Sequence, residues 1–112
     1  MDTDVSKYLP LSEATYYVMA ALDEPLHGYA LMQKVEAMSE GQVVIGPGTL
    51  YGAFAALEKQ ALIEKVSEQD RRKTYQLTDK GRLVLAEQVR RLMTMARNGQ
   101  FVLNQQNEEK AA

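Results

Sequence analysis

The chain has 112 residues, of which 46% are hydrophobic and 25% charged, with a formal net charge of −2 and no cysteine. That length suits one domain with a genuine core, and no apolar run approaches the ~20 residues that span a bilayer. The absence of cysteine excludes disulfides and thiol chemistry, and with a single histidine, His27, a zinc site of the usual kind is not expected.

Residues 1–10 are polar and end at Pro10, which predicts a loose N-terminal arm. Its start, Met1-Asp2-Thr3-Asp4, is acidic and has no apolar stretch, so no secretory signal is expected and a cytoplasmic location fits. Ser12 can cap a first helix from Glu13 to Leu22. Ala14, Tyr16, Tyr17, Val18 and Met19 leave that helix little polar face, which implies burial on more than one side and a partner subunit to cover the second. Asp23-Glu24-Pro25 ends it. A second helix, Gly28–Met38, turns Leu31, Val35 and Met38 inward; Ser39-Glu40-Gly41 breaks it, and the β-branched run Gln42–Ile45 predicts a strand.

The third helix has the sharpest start, because Gly46 can serve as N-cap and Pro47 at the first position loses only an N–H that would be orphaned anyway. Leu50, Phe54, Leu57 and Ala61 recur on one side and predict a buried face. The other side carries Gly48, Gly52, Ala55 and Ala56, with Lys59 near the end. Such a smooth face either packs on another helix or lets the helix come close to a phosphate backbone, where first-turn amides and the helix dipole favour an anion.

Leu62–Val66 and Thr74–Leu77 read as two strands joined by a long turn that contains Arg71, Arg72 and Lys73. Thr78 can cap a final helix from Asp79 to Arg97, in which Leu85, Val89, Leu92 and Ala96 form a narrow seam of the coiled-coil type. The economical partner for that seam, with Tyr17 of the first helix beside it, is a second copy across a twofold axis. Asn98-Gly99 is expected to end or fray the helix. The fold class is thus mainly α with a small β-sheet, a winged helix-turn-helix with a long C-terminal dimerisation helix. Its expected divisions are an arm (1–10), the winged domain (11–78), the dimerisation helix (79–98) and a flexible polar tail (99–112).

Charge supports a polyanion partner through its distribution. Residues 1–57 hold seven acidic against two basic side chains, whereas residues 58–97 hold ten basic against six acidic. A local positive surface is what matters for nucleic acid, whatever the net charge.

His27-Gly28-Tyr29, Pro47-Gly48-Thr49-Leu50-Tyr51, Leu57-Glu58, Leu62-Ile63 and the run from Arg71-Arg72-Lys73-Thr74-Tyr75 to Lys80-Gly81 together resemble the PadR-type transcriptional regulators, in order and spacing from Leu11 to Met95. The resemblance implies a cytoplasmic homodimer that binds palindromic double-stranded operator DNA, usually to repress, and releases it on binding a small aromatic or apolar effector. It implies no cofactor, no metal and no membrane partner. Two departures stand out: family recognition helices commonly carry Arg or Lys where this chain has Gly52, Ala55 and Ala56, and a glycine is usual where it has Ala61.

On this reading Tyr29, Thr49 and Tyr51 offer hydroxyls to DNA, Gly48 and Gly52 allow close approach, and Lys59, Arg71, Arg72 and Lys73 offer charge. The alternative for Tyr51 is a phenol packed against the second helix. Tyr16, Met19 and Met93 are the expected lining of an effector pocket where the first and last helices meet. The chain has no tryptophan, which excludes a tryptophan-stacked site. No nucleophile stands beside a paired acid and base, so an enzyme is not expected. The rival reading is a winged-helix dimer that binds proteins or small molecules and has no DNA activity.

Overall fold

The computed structural model describes residues 4–111, with side chains described as far as Gln105; residues 1–3 of the arm and Ala112 lie outside it. Its elements are a short 3-10 turn Ser6–Tyr8, α1 Glu13–Ala21, β1 Leu26–His27, α2 Gly28–Met38, α3 Pro47–Lys59, β2 Ile63–Gln69, β3 Arg72–Leu77 and α4 Asp79–Ala111. This is the winged helix-turn-helix expected from the sequence. The sheet is antiparallel in the order β1-β3-β2. Among the described residues no helix is long and apolar enough to cross a membrane.

Local chemistry sets each boundary. Ser12 caps α1 by accepting the Thr15 N–H at 3.1 Å, and Gly46 with Pro47 opens α3. The core joins Met19 and Leu22 of α1, Leu31 and Val35 of α2, Leu50, Phe54 and Leu57 of α3, Ile63, Tyr75 and Leu77 of the hairpin and Val84 of α4.

α3 ends in a Schellman motif: the Leu62 N–H reaches the Leu57 carbonyl and the Ala61 N–H reaches that of Glu58, both at 2.9 Å. Ala61 does not continue the buried face of the helix: it lies exposed past its end in the left-handed conformation this motif needs, with φ 60°, so the position where the family favours glycine is strained here. The three carbonyls that follow the helix are then taken up by the start of α4. Lys80 Nζ donates to Gln60 O at 3.0 Å, Thr78 Oγ1 to Ala61 O at 2.7 Å, and the Thr78 N–H to Leu62 O at 3.1 Å. Thr78 also caps α4 by accepting the Gly81 N–H at 2.9 Å. Gly81 is buried so close to this junction that a Cβ on it would overlap the Leu62 carbonyl oxygen.

Five expectations need correction. Met38 does not turn inward but is 42% exposed at the end of α2. Gln42–Ile45 is not a strand, because the buried Ser39 hydroxyl accepts the Val43 N–H at 2.9 Å and takes that backbone out of any ladder. The third strand is instead Leu26–His27, which pairs Leu26 with Tyr75 and His27 with Thr74. The wing has no long turn: β2 and β3 run on to Gln69 and Arg72, leaving only Asp70 and Arg71 between them. α4 does not stop at Asn98-Gly99 but continues to Ala111, so the expected tail is helical as far as it is described. The arm is not loose where described, since Val5, Tyr8 and Leu9 pack against the core.

Two substitutions test the junction by urea unfolding. Gly81→Ala should lower stability by about 3 kcal/mol or more, since backbone must move to admit the methyl group. Ala61→Gly should raise it by about 1 kcal/mol by relieving the left-handed residue.

Candidate nucleic-acid interface

α3 buries Leu50, Phe54 and Leu57 and exposes Gly48, Thr49, Tyr51, Gly52, Ala55, Ala56 and Lys59. The smooth face therefore does not pack on another helix. A Cβ on Gly48 or Gly52 would meet nothing within 4 Å, so neither packing nor backbone conformation calls for glycine there. Gly52 in mid-helix thus sacrifices about 1 kcal/mol of helix propensity with no return inside the chain. Ala56 is the exception to the uniform stripe, since it turns toward the arm and borders a second cleft with Tyr8 and Leu11.

A groove of about 530 Å³ lies between α3, the start of α2 and the wing. Tyr29, Tyr51, Arg71, Arg72 and Lys73 all line it, so five of the predicted contacts converge although they come from three elements. Gly28 makes the convergence possible: a Cβ there would stand 3.0 Å from the Tyr51 hydroxyl and 3.1 Å from Leu50. Tyr51 thus lies across the start of α2 and stays 58% exposed, which joins the two readings of this residue. Tyr29 is 65% exposed, and its hydroxyl accepts from Gln33 Nε2 at 3.1 Å. His27 caps α2, its Nδ1 accepting the Ala30 N–H at 3.4 Å.

The floor of the groove is a pair of rings, Phe54 and Tyr75, with centroids 4.4 Å apart. Burial, and then the nearby Glu58 carboxylate, push the Tyr75 phenol above its usual value, so it faces the groove as a neutral group. Glu58 also lines the groove and was not among the sequence-predicted residues; its outward place beside Leu57 on the helix was the available signal. Gly48, Thr49, Gly52 and Lys59 lie on exposed α3 outside the groove lining.

At the wing tip Asp70 and Arg71 both have positive φ, 52° and 67°. Two-residue hairpin turns of this form favour Asn or Asp followed by glycine. Asp70 fits that preference, but Arg71 holds a long side chain where glycine would be relaxed. Strain of this kind clusters at functional positions.

The transcriptional regulator PadR-like family model matches residues 18–87. The chain belongs to this family. Among solved structures, it is similar to a PadR family transcriptional regulator from Eggerthella lenta, with 28% identity and a TM-score of 0.64 over 80% of this chain and 77% of that one. The fold also matches a RosR-S4 complex from H. salinarum, with a TM-score of 0.70 at 19% identity, covering 93% of this chain and 96% of that one. In sequence it is 41% identical over 75 residues to an uncharacterized 37.1 kDa protein in transposon TN4556 of Streptomyces fradiae. That match covers 66% of this chain and 21% of the relative, so the chain spans about a fifth of that protein.

The expected effector pocket is only partly assembled. A cleft of about 290 Å³ between α1 and α4 is lined by Leu11, Glu13, Tyr16, Tyr17, Gln88 and Leu92. Tyr16 is there, in edge-to-face contact with Tyr17 at 5.5 Å. Met19 is not: it is fully buried in the core, because α1 turns it toward α2 and α3. Met93 is 62% exposed one position past Leu92 and does not line the cleft.

If Gly52 and Arg71 are kept for an external partner, relaxing them should strengthen the free protein. Gly52→Ala and Arg71→Gly should each raise stability by up to about 1 kcal/mol in urea unfolding.

Proposed function

We propose that this PadR-like regulator is a homodimeric, sequence-specific DNA-binding repressor of the cytoplasm, released from its operator by a small aromatic or apolar molecule. α3 enters the major groove, and the wing grips the flanking backbone or minor groove. The observation that carries this reading is the groove in which Tyr29 and Tyr51 meet the three exposed cations of the wing, on a helix whose glycines face open space. With few long donors on α3, phosphate contacts and DNA shape dominate over bidentate base contacts. The first-turn amides of α3, with no side-chain cap, are available to a phosphate.

The dimer rests on α4. Leu85 and Val89 are half-buried, Leu92 is 38% exposed, and every residue from Met95 to Gln105 is exposed, including Phe101, Val102 and Leu103. Leu85, Val89, Leu92 and Ala96, prolonged to Leu103, form one stripe that a second copy of the helix would cover. Tyr17 stands beside it at the α1/α4 cleft. That cleft, with Tyr16 in its wall, is the candidate effector site.

The rival reading, a winged-helix module without DNA binding, draws on the absence of Arg and Lys from the middle of α3. Fluorescence anisotropy with DNA from upstream of its own gene separates the two. Between 50 and 200 mM salt, affinity should fall by about a thousandfold if six phosphates are neutralised across the dimer, and a flat response would sink the phosphate-dominated picture. Replacing Arg71, Arg72 and Lys73 by Ala should weaken all sequences alike. Gly52→Ala should weaken binding despite its gain in stability, whereas an intact dimer that binds no duplex at low salt favours the rival. Leu92→Glu should turn the dimer into monomer by light scattering.

A further inference from the structure

The segment Tyr8–Ser12 is fastened at both ends to elements far away in the chain. At one end the Tyr8 ring lies under Lys80 Nζ, 4.7 Å from the ring centroid, and the same ammonium holds the Gln60 carbonyl at the exit of α3. At the other end the Leu11 N–H donates to Gln88 Oε1 of α4 at 2.6 Å, and Gln88 is only 5% exposed. Between these fastenings the segment is a shared wall. Leu11 and Gln88 border the α1/α4 cleft on one side. Tyr8, Pro10 and Leu11 border a cleft of about 320 Å³ on the other, whose far wall is Ala53, Ala56 and Leu57 of α3.

We propose that this strap transmits occupancy of the α1/α4 cleft to the recognition helix, with the Gln88 carboxamide as its latch. The inference rests on reading that cleft as the effector site and α3 as the DNA-reading helix. A guest that brings a hydrogen-bond donor against the Tyr16 and Leu92 side of the cleft competes for Gln88 Oε1. The Leu11 N–H then loses its buried partner, which makes the fastened position of the strap unfavourable. Once the strap shifts, the flank of α3 at Ala53 and Ala56 loses the wall that sets its position. Gln88 is therefore a positioning residue: it acts on DNA affinity through Leu11, and neither residue lines the wing groove.

The absence of cysteine allows a direct test. Tyr16→Cys gives a single thiol in the cleft, and N-(4-hydroxyphenyl)maleimide attached to it is a defined aromatic occupant whose phenol O–H is a hydrogen-bond donor. DNA affinity and hydrogen exchange of residues 48–56 are measured before and after loading, with Gln88 present and with Gln88→Met, which keeps length and packing without a strong acceptor. Loading should raise Kd about fivefold or more and speed exchange in α3 when Gln88 is present. With Gln88→Met the unloaded protein should already show the raised Kd and faster exchange, and loading should change neither by more than about twofold. Equal responses in the two backgrounds, or no response in either, overturn the proposal. If the unloaded protein binds no duplex while α3 exchange still responds to loading through Gln88, the strap stands and the DNA reading fails.

Discussion

The arrangement of this molecule depends on the capture of three successive carbonyls, those of Gln60, Ala61 and Leu62, by the first turn of α4. The end of a helix leaves carbonyls without intrahelical partners, and water would ordinarily satisfy them. Here the end of α3, the root of the wing and the start of α4 share one knot of hydrogen bonds. Gly81 lets the α4 backbone lie directly on it. The angle between α3, wing and α4 is thereby set over a few ångströms, and the groove lined by Tyr51 and Arg71–Lys73 inherits its shape from that angle. Lys80 extends the knot to the arm by covering Tyr8 as well.

Charge and contour are divided between two elements. α3 presents small side chains and a single late cation, Lys59, while the wing presents Arg71, Arg72 and Lys73. Most ion pairs among the described residues involve no residue that lines the groove: Lys34 pairs with Asp23 and Glu24, and Arg90 and Arg91 with Glu87, whose pKa the Arg90 guanidinium lowers to about 2. On the wing itself Lys65 and Glu68 neutralise each other at 2.9 Å, which leaves the excess positive charge at the tip. Exposed pairs of this kind contribute little to stability, but they decide which cations remain to meet a partner.

The elements that could be read from the sequence are those whose ends carry their own chemistry. Ser12, Gly46-Pro47 and Thr78 act within three residues of themselves and needed no tertiary information. The errors have a common cause in contacts that the local pattern does not carry. Val43–Ile45 has the composition of a strand, and alternation survives as buried Val43 and Ile45 around exposed Val44, yet Ser39 takes its ladder hydrogen bond. Leu26–His27 is too short to be seen and exists because β3 offers a free edge. The wing turn lacks the glycine that would announce it, since Arg71 holds the left-handed position. Within the candidate interface, Tyr29, Tyr51 and the wing cations were legible as residue types. Glu58 and the Phe54–Tyr75 floor were not, because they become part of a groove only when the hairpin folds back on α3. Met19 misled because a polarisable side chain on a nearly all-apolar helix gives no hint of which side faces the core.

The continuation of α4 through Asn98-Gly99 bears on the proposed dimer in the same physical terms. A 33-residue helix is about 50 Å long, and from Met95 on its described side chains are all exposed. Glycine at position 99 weakens a solvated helix by roughly 1 kcal/mol. On the proposed seam it also falls one heptad step beyond Leu92, where the absence of a side chain lets two helices approach. Leu103 follows at the next step. A residue that reads as a stop in an isolated chain is then a point of close contact in a pair. The glycines at 52 and 99 would share one logic, in which local helix stability is given up where a surface must come near something outside the chain.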